Sequence, residues 1–322
     1  MTHIDVFNGD ADGICSLLQL RLDKPTKSML VTGVKRDINL LKRVTAQAGD
    51  KVTVLDVSMD KNRSHLQALL AQNVSVFYVD HHFSGEIPDH PALEAHIDTH
   101  SNICTSLIIN KHLAGRQQLW AITGAYGDNL FHSAEQVAMS LSLDKTQCEK
   151  LKKLGTYLNY NGYGTHLDDL YFPPDILYQK LIDYASPFDF IADPSSAYMT
   201  LENGYIQDIQ AAQATPIEYE NDDIAVYILP DSVGSRRVSG VFGNALANAS
   251  PDKAHAVLTH NAENGFVVSI RAPLNNKTGA DQICRQFPSG GGRAAAAGIN
   301  HLDKNDFSRL IEVLNTFYAS QS

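Results

Sequence analysis

The sequence predicts an α/β protein. An N-terminal domain is built on a parallel sheet and carries a helical elaboration, and a smaller C-terminal α/β domain follows. Three observations carry this reading. Up to about residue 130, short β-branched runs alternate with helix-like stretches, which implies a mostly parallel sheet covered on both faces. Residues 131–190 lose the strand runs and read as helices around a Pro173-Pro174 break. From about residue 216 the alternation resumes. A chain of 322 residues suits two domains, and 43% hydrophobic with 19% charged residues supplies a large core. We draw the domains at 1–195 and 216–322, joined by a connecting helix over 196–215.

Taken in order, "HIDVFNG" reads as a strand and "GICSLLQLRL" as a helix. "MLVTGVK" is a second strand with "INLLKRVTAQ" as its helix, and "KVTVLDVS" a third with "NRSHLQALLAQ". "VSVFYVDH" is a fourth, and "AHIDT" a fifth before the helices "TSLIINKHLAG" and "LWAITGAYG". "SAEQVAMSLSLDKTQCEKLKKLGTYL" and "LDDLYFPPDILYQKLIDYASPFDFI" are the elaboration, and "SSAYMTLENGYIQDIQAAQ" the connecting helix. In the second domain "IEYENDDIAVYILP", "AHAVLTHN" and "GFVVSIRAP" are strands. "GVFGNALANAS", "GADQICRQF" and "DFSRLIEVLNTFYAS" are helices there, and the "AAAAG" of "GGGRAAAAG" is read as opening another.

Net charge is −10; residues 1–214 hold 17 basic and 25 acidic residues, and residues 215–322 hold 9 and 11. An acidic first domain does not attract a long polyanion by its overall field. The four cysteines are scattered with no CxxC pair, so neither a zinc knuckle nor a disulfide framework is indicated. No apolar run is long enough for a membrane span, and "MTHIDVFNGDADG" has neither a basic start nor an apolar signal core. The expectation is a cytoplasmic protein.

Four acidic places line up with the strand ends: "NGDADG", Asp56 in "VLDVS", "VDHH" at residues 79–82, and Asp128 in "GAYGDN". One such aspartate would be an ordinary turn or helix cap. Together they converge, because the carboxyl ends of parallel strands share one edge, where ligands bind. So many carboxylates in one crevice require cations. Aspartates with imidazoles suit Mn2+, Fe2+, Co2+ or Zn2+, and Mg2+ less well. The donors exceed what one ion needs; two ions about 3.5–4 Å apart would use them.

"VDHH" within such a domain resembles the DHH phosphoesterase superfamily. "SIRA" followed by "GADQICRQFPSGGGRAAAAG" resembles the DHHA1 domain usually attached to it. The resemblance covers both ends of the chain in the right order, and residues 131–190 match nothing in it. It implies two divalent ions, Mn2+ first among Mg2+, Co2+ and Fe2+. Asn8 and Asp10 would serve the first ion and Asp12 and Asp128 the second, with Asp56 bridging and His81 binding metal. The catalytic candidates are His82, facing the substrate phosphate, and Asp80, orienting its neighbours. Gly290, Gly291, Gly292, Arg293 and Arg271 would hold the far end of the substrate.

Two positions depart from the family pattern. Asn8 stands where His or Asp is usual, and Arg293 where the glycine motif has His. The implied activity is hydrolysis of very short oligoribonucleotides, dinucleotides especially, to 5′-mononucleotides; linear products of cyclic dinucleotides are included. A phosphatase of 3′-phosphoadenosine 5′-phosphate, a polyphosphate-cleaving enzyme and a degenerate nucleotide-binding protein remain alternatives. The partners expected are short oligonucleotides or nucleotide phosphates, without long nucleic acid or membrane, and a homodimer is compatible with the family.

Overall fold

The computed structural model describes residues 1–319. Residues 320–322, including the end of the helix expected over 306–320, lie outside the described residues. The chain divides into two compact units, Met1–Glu202 and Asn203 onward.

The first unit contains β1 (His3–Phe7), β2 (Met29–Val31), β3 (Lys51–Leu55), β4 (Ser75–Asp80) and β5 (Leu93–Ile97). They form one all-parallel sheet in the order β2-β1-β3-β4-β5. The order reverses between β1 and β3, and at such a switch point a crevice opens outside the carboxyl ends of the strands. Inward residues Ile4, Val6, Val52, Val54, Val76 and Tyr78 pack on Leu66, Leu69 and Leu70 of α2 (Met59–Ala71). Each such aliphatic side chain contributes about 1.5–3 kcal/mol on full burial.

The other helices of this unit are α1 (Ala11–Asp23), α3 (Thr105–His112), α4 (Gln118–Gly127), α5 (Phe131–Ser140), α6 (Lys145–Gly162), α7 (Pro174–Leu181) and α8 (Pro187–Ala192), and α9 (Tyr198–Gln213) begins in it and continues into the second unit. Helix α4 is buried from Trp120 to Gly127 and packs against α1, α3, α5 and α6, which explains why its sequence is apolar all round. At Gly127 a Cβ would stand 2.3 Å from the Ala11 Cβ, so glycine there is what lets the end of α4 meet the start of α1. Pro173 and Pro174 open α7, where a missing N–H costs nothing.

The second unit contains β6 (Tyr219–Glu220), β7 (Ile224–Ile228), α10 (Val233–Ala249), β8 (Ala254–His260), β9 (Phe266–Arg271), α11 (Ala280–Cys284), β10 (Gly290–Gly292), β11 (Ala296–Leu302) and α12 (Phe307–Ala319). Its sheet runs β10-β11-β9-β8-β7-β6, antiparallel except for β7 beside β8. Val226, Leu258, Val268, Ile270, Ile299, Leu310 and Leu314 lie in its core.

Two expected helices are absent. "INLLKRVTAQ" forms only a 3-10 turn over Leu40–Arg43. The adjacent leucines 40 and 41 are both buried, and the Asn62 amide accepts from the Leu41 N–H and donates to the Ile38 carbonyl. Side-chain anchoring therefore replaces the helical ladder. "AAAAG" enters strand β11, because Ala296, Ala297 and Gly298 pair with Arg271, Ile270 and Ser269. The anion-binding helix N-terminus expected at this place does not exist. Among the described residues no helix is long and apolar enough to cross a membrane.

Candidate metal centre

The site is built at the β1/β3 switch point. Asp10 caps α1, its Oδ1 accepting from Asp12 N at 3.0 Å and Gly13 N at 3.1 Å. Asp12, inside the first turn, reaches across to cap α3, accepting from Thr105 N at 2.8 Å and Ser106 N at 2.7 Å. Asp56 follows β3 with φ 57°, a left-handed conformation that Asp and Asn tolerate better than other non-glycine residues. Asp128 closes the C-terminal end of α4, where the helix dipole opposes a carboxylate and a nearby cation is needed.

The two histidines have different jobs. His81 Nδ1 lies 2.9 Å from the Ile103 carbonyl, which can only accept, so Nδ1 carries the proton. In the neutral ring Nε2 then presents its lone pair to carboxylates: Asp56 Oδ1 at 3.3 Å, Asp12 Oδ2 at 3.8 Å and Asp128 Oδ2 at 3.9 Å. This nitrogen and the three carboxylates make a set of metal donors, and their spacings suit ligands each about 2.0–2.2 Å from a shared ion. His82 Nδ1 instead donates to Asp80 Oδ1 at 2.7 Å, turning its other nitrogen outward on a side chain 30% exposed. Asp80 Oδ2 is buried and takes no hydrogen bond from the described residues.

The charges perturb one another. Burial, then Asp10 and Asp12, push the Asp56 carboxyl well above the usual range. Burial works the same way on Asp80, but His82 overcomes it and holds Asp80 below its ordinary value. Asp10 is likewise lowered against burial by a residue the motifs did not include, Lys35. Its ammonium donates to Asp10 Oδ2 and, at 3.0 Å, to Asn159 Oδ1, and stands 4.0 Å from Asp128 Oδ1. Thr105, Ser106 and Asn159 also lay outside the sequence reading. The signal for Lys35 in the sequence is its place as the last residue of "MLVTGVK", read as a strand, of which the structure keeps Met29–Val31 as β2. Asn8 turns its amide to the backbone, accepting from Asp10 N and donating to the Lys35 carbonyl, both at 3.3 Å.

Among solved structures, the chain is similar to the exonuclease RecJ bound to manganese, with TM-score 0.59 and 14% identity over 98% of this chain and 90% of that one. It is also similar to PggH, a pGpG-specific phosphodiesterase from Vibrio cholerae, with TM-score 0.55 and 14% identity over 100% of both chains. The chain has the fold of RecJ and PggH. A second RecJ, from Thermus thermophilus in complex with Mn2+, matches at TM-score 0.56 and 15% identity, with 99% of this chain spanning 52% of that one. No family model and no curated protein matches the chain.

The RecJ-like fold brings Asp10, Asp12, Asp56, Asp80, His81, His82 and Asp128 to one crevice, with Asn8 beside them. The second-unit candidates belong to a different sheet. Gly290, Gly291 and Gly292 form β10, paired with Ile299, Gly298 and Ala297. A Cβ on Gly290 would stand 1.7 Å from the Cys284 carbonyl, so this glycine serves packing, whereas Gly291 faces open space. Arg293 opens the tight turn into β11, its N–H bonded to the Ala296 carbonyl at 2.9 Å. The Arg271 guanidinium is tied to Asn244 Oδ1 at 2.5 Å, Ser269 Oγ at 2.9 Å and the Gly240 carbonyl at 3.1 Å.

Proposed function

We propose that the chain is a divalent-metal-dependent phosphodiesterase that hydrolyses very short oligoribonucleotides, dinucleotides above all, to 5′-mononucleotides. The observation that carries this is the lone-pair face of His81, directed at Asp12, Asp56 and Asp128. Asp10, Asp12, Asp56, Asp128 and His81, with Asn8 at the edge, would hold two ions, Mn2+ first among the candidates. Bound ions supply Lewis-acid chemistry, lowering the pKa of a water and polarising phosphoryl oxygens.

The remaining work falls to the protein. His82, its Nδ1–H held by Asp80, would as an imidazolium donate its outward Nε2–H to an oxygen of the scissile phosphate, where negative charge develops. The Ile103 carbonyl keeps the His81 proton on Nδ1, so its metal-facing nitrogen stays a donor of electrons. In the second unit, Gly291, with no described atom within 4 Å of its would-be Cβ, and Arg293 are the proposed contacts for a substrate phosphate or base. An acidic first domain favours short substrates over long polyanions. The full-length likeness to PggH supports linear dinucleotides as substrates.

The test is a panel with Mn2+: 5′-phosphorylated dinucleotides, longer oligomers, 3′-phosphoadenosine 5′-phosphate and polyphosphate. Dinucleotides should turn over fastest. Preference for polyphosphate or bisphosphorylated adenosine refutes the substrate reading. Turnover of none, with metal bound, refutes the enzyme reading.

A further inference from the structure

Lys35 is built into the site from both ends. Its backbone N–H donates to the Gly162 carbonyl at 2.8 Å, and its own carbonyl accepts from Asn8 Nδ2 at 3.3 Å. Its ammonium is fixed by Asp10 and Asn159, and the Tyr163 ring lies 5.3 Å away, within cation–π range. Two close approaches hold this corner together. A Cβ on Gly9 would stand 2.0 Å from the Gly33 carbonyl, and one on Gly162 would stand 3.0 Å from Asp10 Cα. The 33–35 segment and the end of α6 are thus pressed onto the loop that carries Asp10.

The same corner is short of free ligand atoms. Asp10 Oδ1 already accepts two backbone N–H groups, and Oδ2 accepts Lys35. A carboxylate offers about four lone-pair sites. Asn8, neutral where the resemblance expects His or Asp, spends its amide on Asp10 N and on the Lys35 carbonyl. On the other side Asp12 also accepts the Thr105 and Ser106 N–H groups and Asp56 the Thr105 hydroxyl, but the side chain facing these carboxylates is His81, through Nε2, rather than a lysine. One positive charge is therefore already resident between Asp10 and Asp128, and it is a lysine.

We propose that Lys35 holds the place of one cation: without substrate the protein carries a single divalent ion, on the Asp56–His81 side, and a second enters the Asn8–Asp10 corner only when the Lys35 ammonium leaves Asp10. This rests on the metal-dependent reading above and specifies how its two positions differ. A substrate phosphate, the strongest anion to reach the site, is the natural group to draw Lys35 away. Lys35 then passes from Asp10 to substrate as the second ion arrives, so the site assembles fully only around a phosphate.

The experiment counts ions rather than turnover. Glu94, His96 and His112 also bring donor atoms within 4.8 Å of one another, so the count is made in a His96→Ala/His112→Ala background. Mn2+ per chain is measured by elemental analysis after dialysis, and Mn2+ pairing by electron paramagnetic resonance. With Lys35 present, one ion per chain and an isolated-ion spectrum are expected. Lys35→Met, similar in length and uncharged, should take two ions with an exchange-coupled spectrum, and Lys35→Arg should keep one. Two coupled ions with Lys35 present overturn the proposal. A single ion in Lys35→Met, with no gain over the parent, overturns it too. Binding of no ion by any of the three proteins overturns instead the metal reading beneath it.

Discussion

Replacing Asp56 by Asn should make the metal-free protein more stable while abolishing its activity. The Asp56 carboxyl is 2% exposed, and burial together with Asp10 and Asp12 pushes its pKa well up. Below about pH 4, near the ordinary Asp value, it is protonated folded or unfolded, and the substitution changes little. Above that, the unfolded chain releases the proton while the folded one retains it. Wild-type stability then falls by about 1.4 kcal/mol per pH unit until the folded pKa is passed. Between pH 5 and pH 7 the advantage of D56N grows by up to about 2.7 kcal/mol. At about 2–4 °C per kcal/mol for a unit of this size, that is up to roughly 5–10 °C in Tm.

The backbone tolerates the change, since Asn also adopts the φ of 57°. Thr105 Oγ and His81 Nε2 both lie 3.3 Å from the same oxygen, Asp56 Oδ1; an amide nitrogen placed there donates one N–H to His81 Nε2 and the other to the Thr105 hydroxyl oxygen, which can accept. The assay is thermal unfolding in EDTA from pH 4 to pH 8, repeated with Mn2+. Metal should raise the Tm of wild type and raise that of D56N far less. A D56N protein less stable than wild type in EDTA, or a pH-independent difference, would refute the electrostatic account.

Other outcomes follow from the same geometry. Asp12→Asn leaves one of the Thr105 and Ser106 N–H groups facing an amide donor; unfolding in urea should show a loss of about 1–3 kcal/mol even in EDTA. His82→Ala should lower kcat by about 100- to 1,000-fold while the Mn2+ content stays unchanged, because its ring is held by Asp80 and turned outward. Arg293→Ala should raise KM for dinucleotides with kcat nearly constant, and a kinetically silent variant would remove Arg293 from substrate binding. EDTA should abolish turnover, with Mn2+ restoring it.

Much was legible because it is periodic or local. The β-branched runs ending in Asn8, Asp56 and Asp80 declare parallel strands, and chain geometry alone brings parallel strand ends to one edge. Where the strand signal competed with propensity, pairing decided. "AAAAG" is rich in a strong helix former, yet β9 offers a ladder for it and Ala297 and Ile299 a core to enter. "INLLKRVTAQ" carries apolar residues at helical spacing, yet side-chain bonds from Asn62 hold it otherwise.

The two α/β units, the parallel first sheet and the acidic and histidine residues at its edge can all be read from the chain without coordinates. What those residues face cannot. The Ile103 carbonyl assigns the His81 proton, Asp12 is spent on the start of α3, and Lys35 is brought onto Asp10. These are contacts between residues far apart in the chain, in a corner packed so closely that an added Cβ at Gly9, Gly127 or Gly162 would stand 2.0, 2.3 or 3.0 Å from its neighbour. No period or motif encodes such distances, because they are set by how whole elements pack.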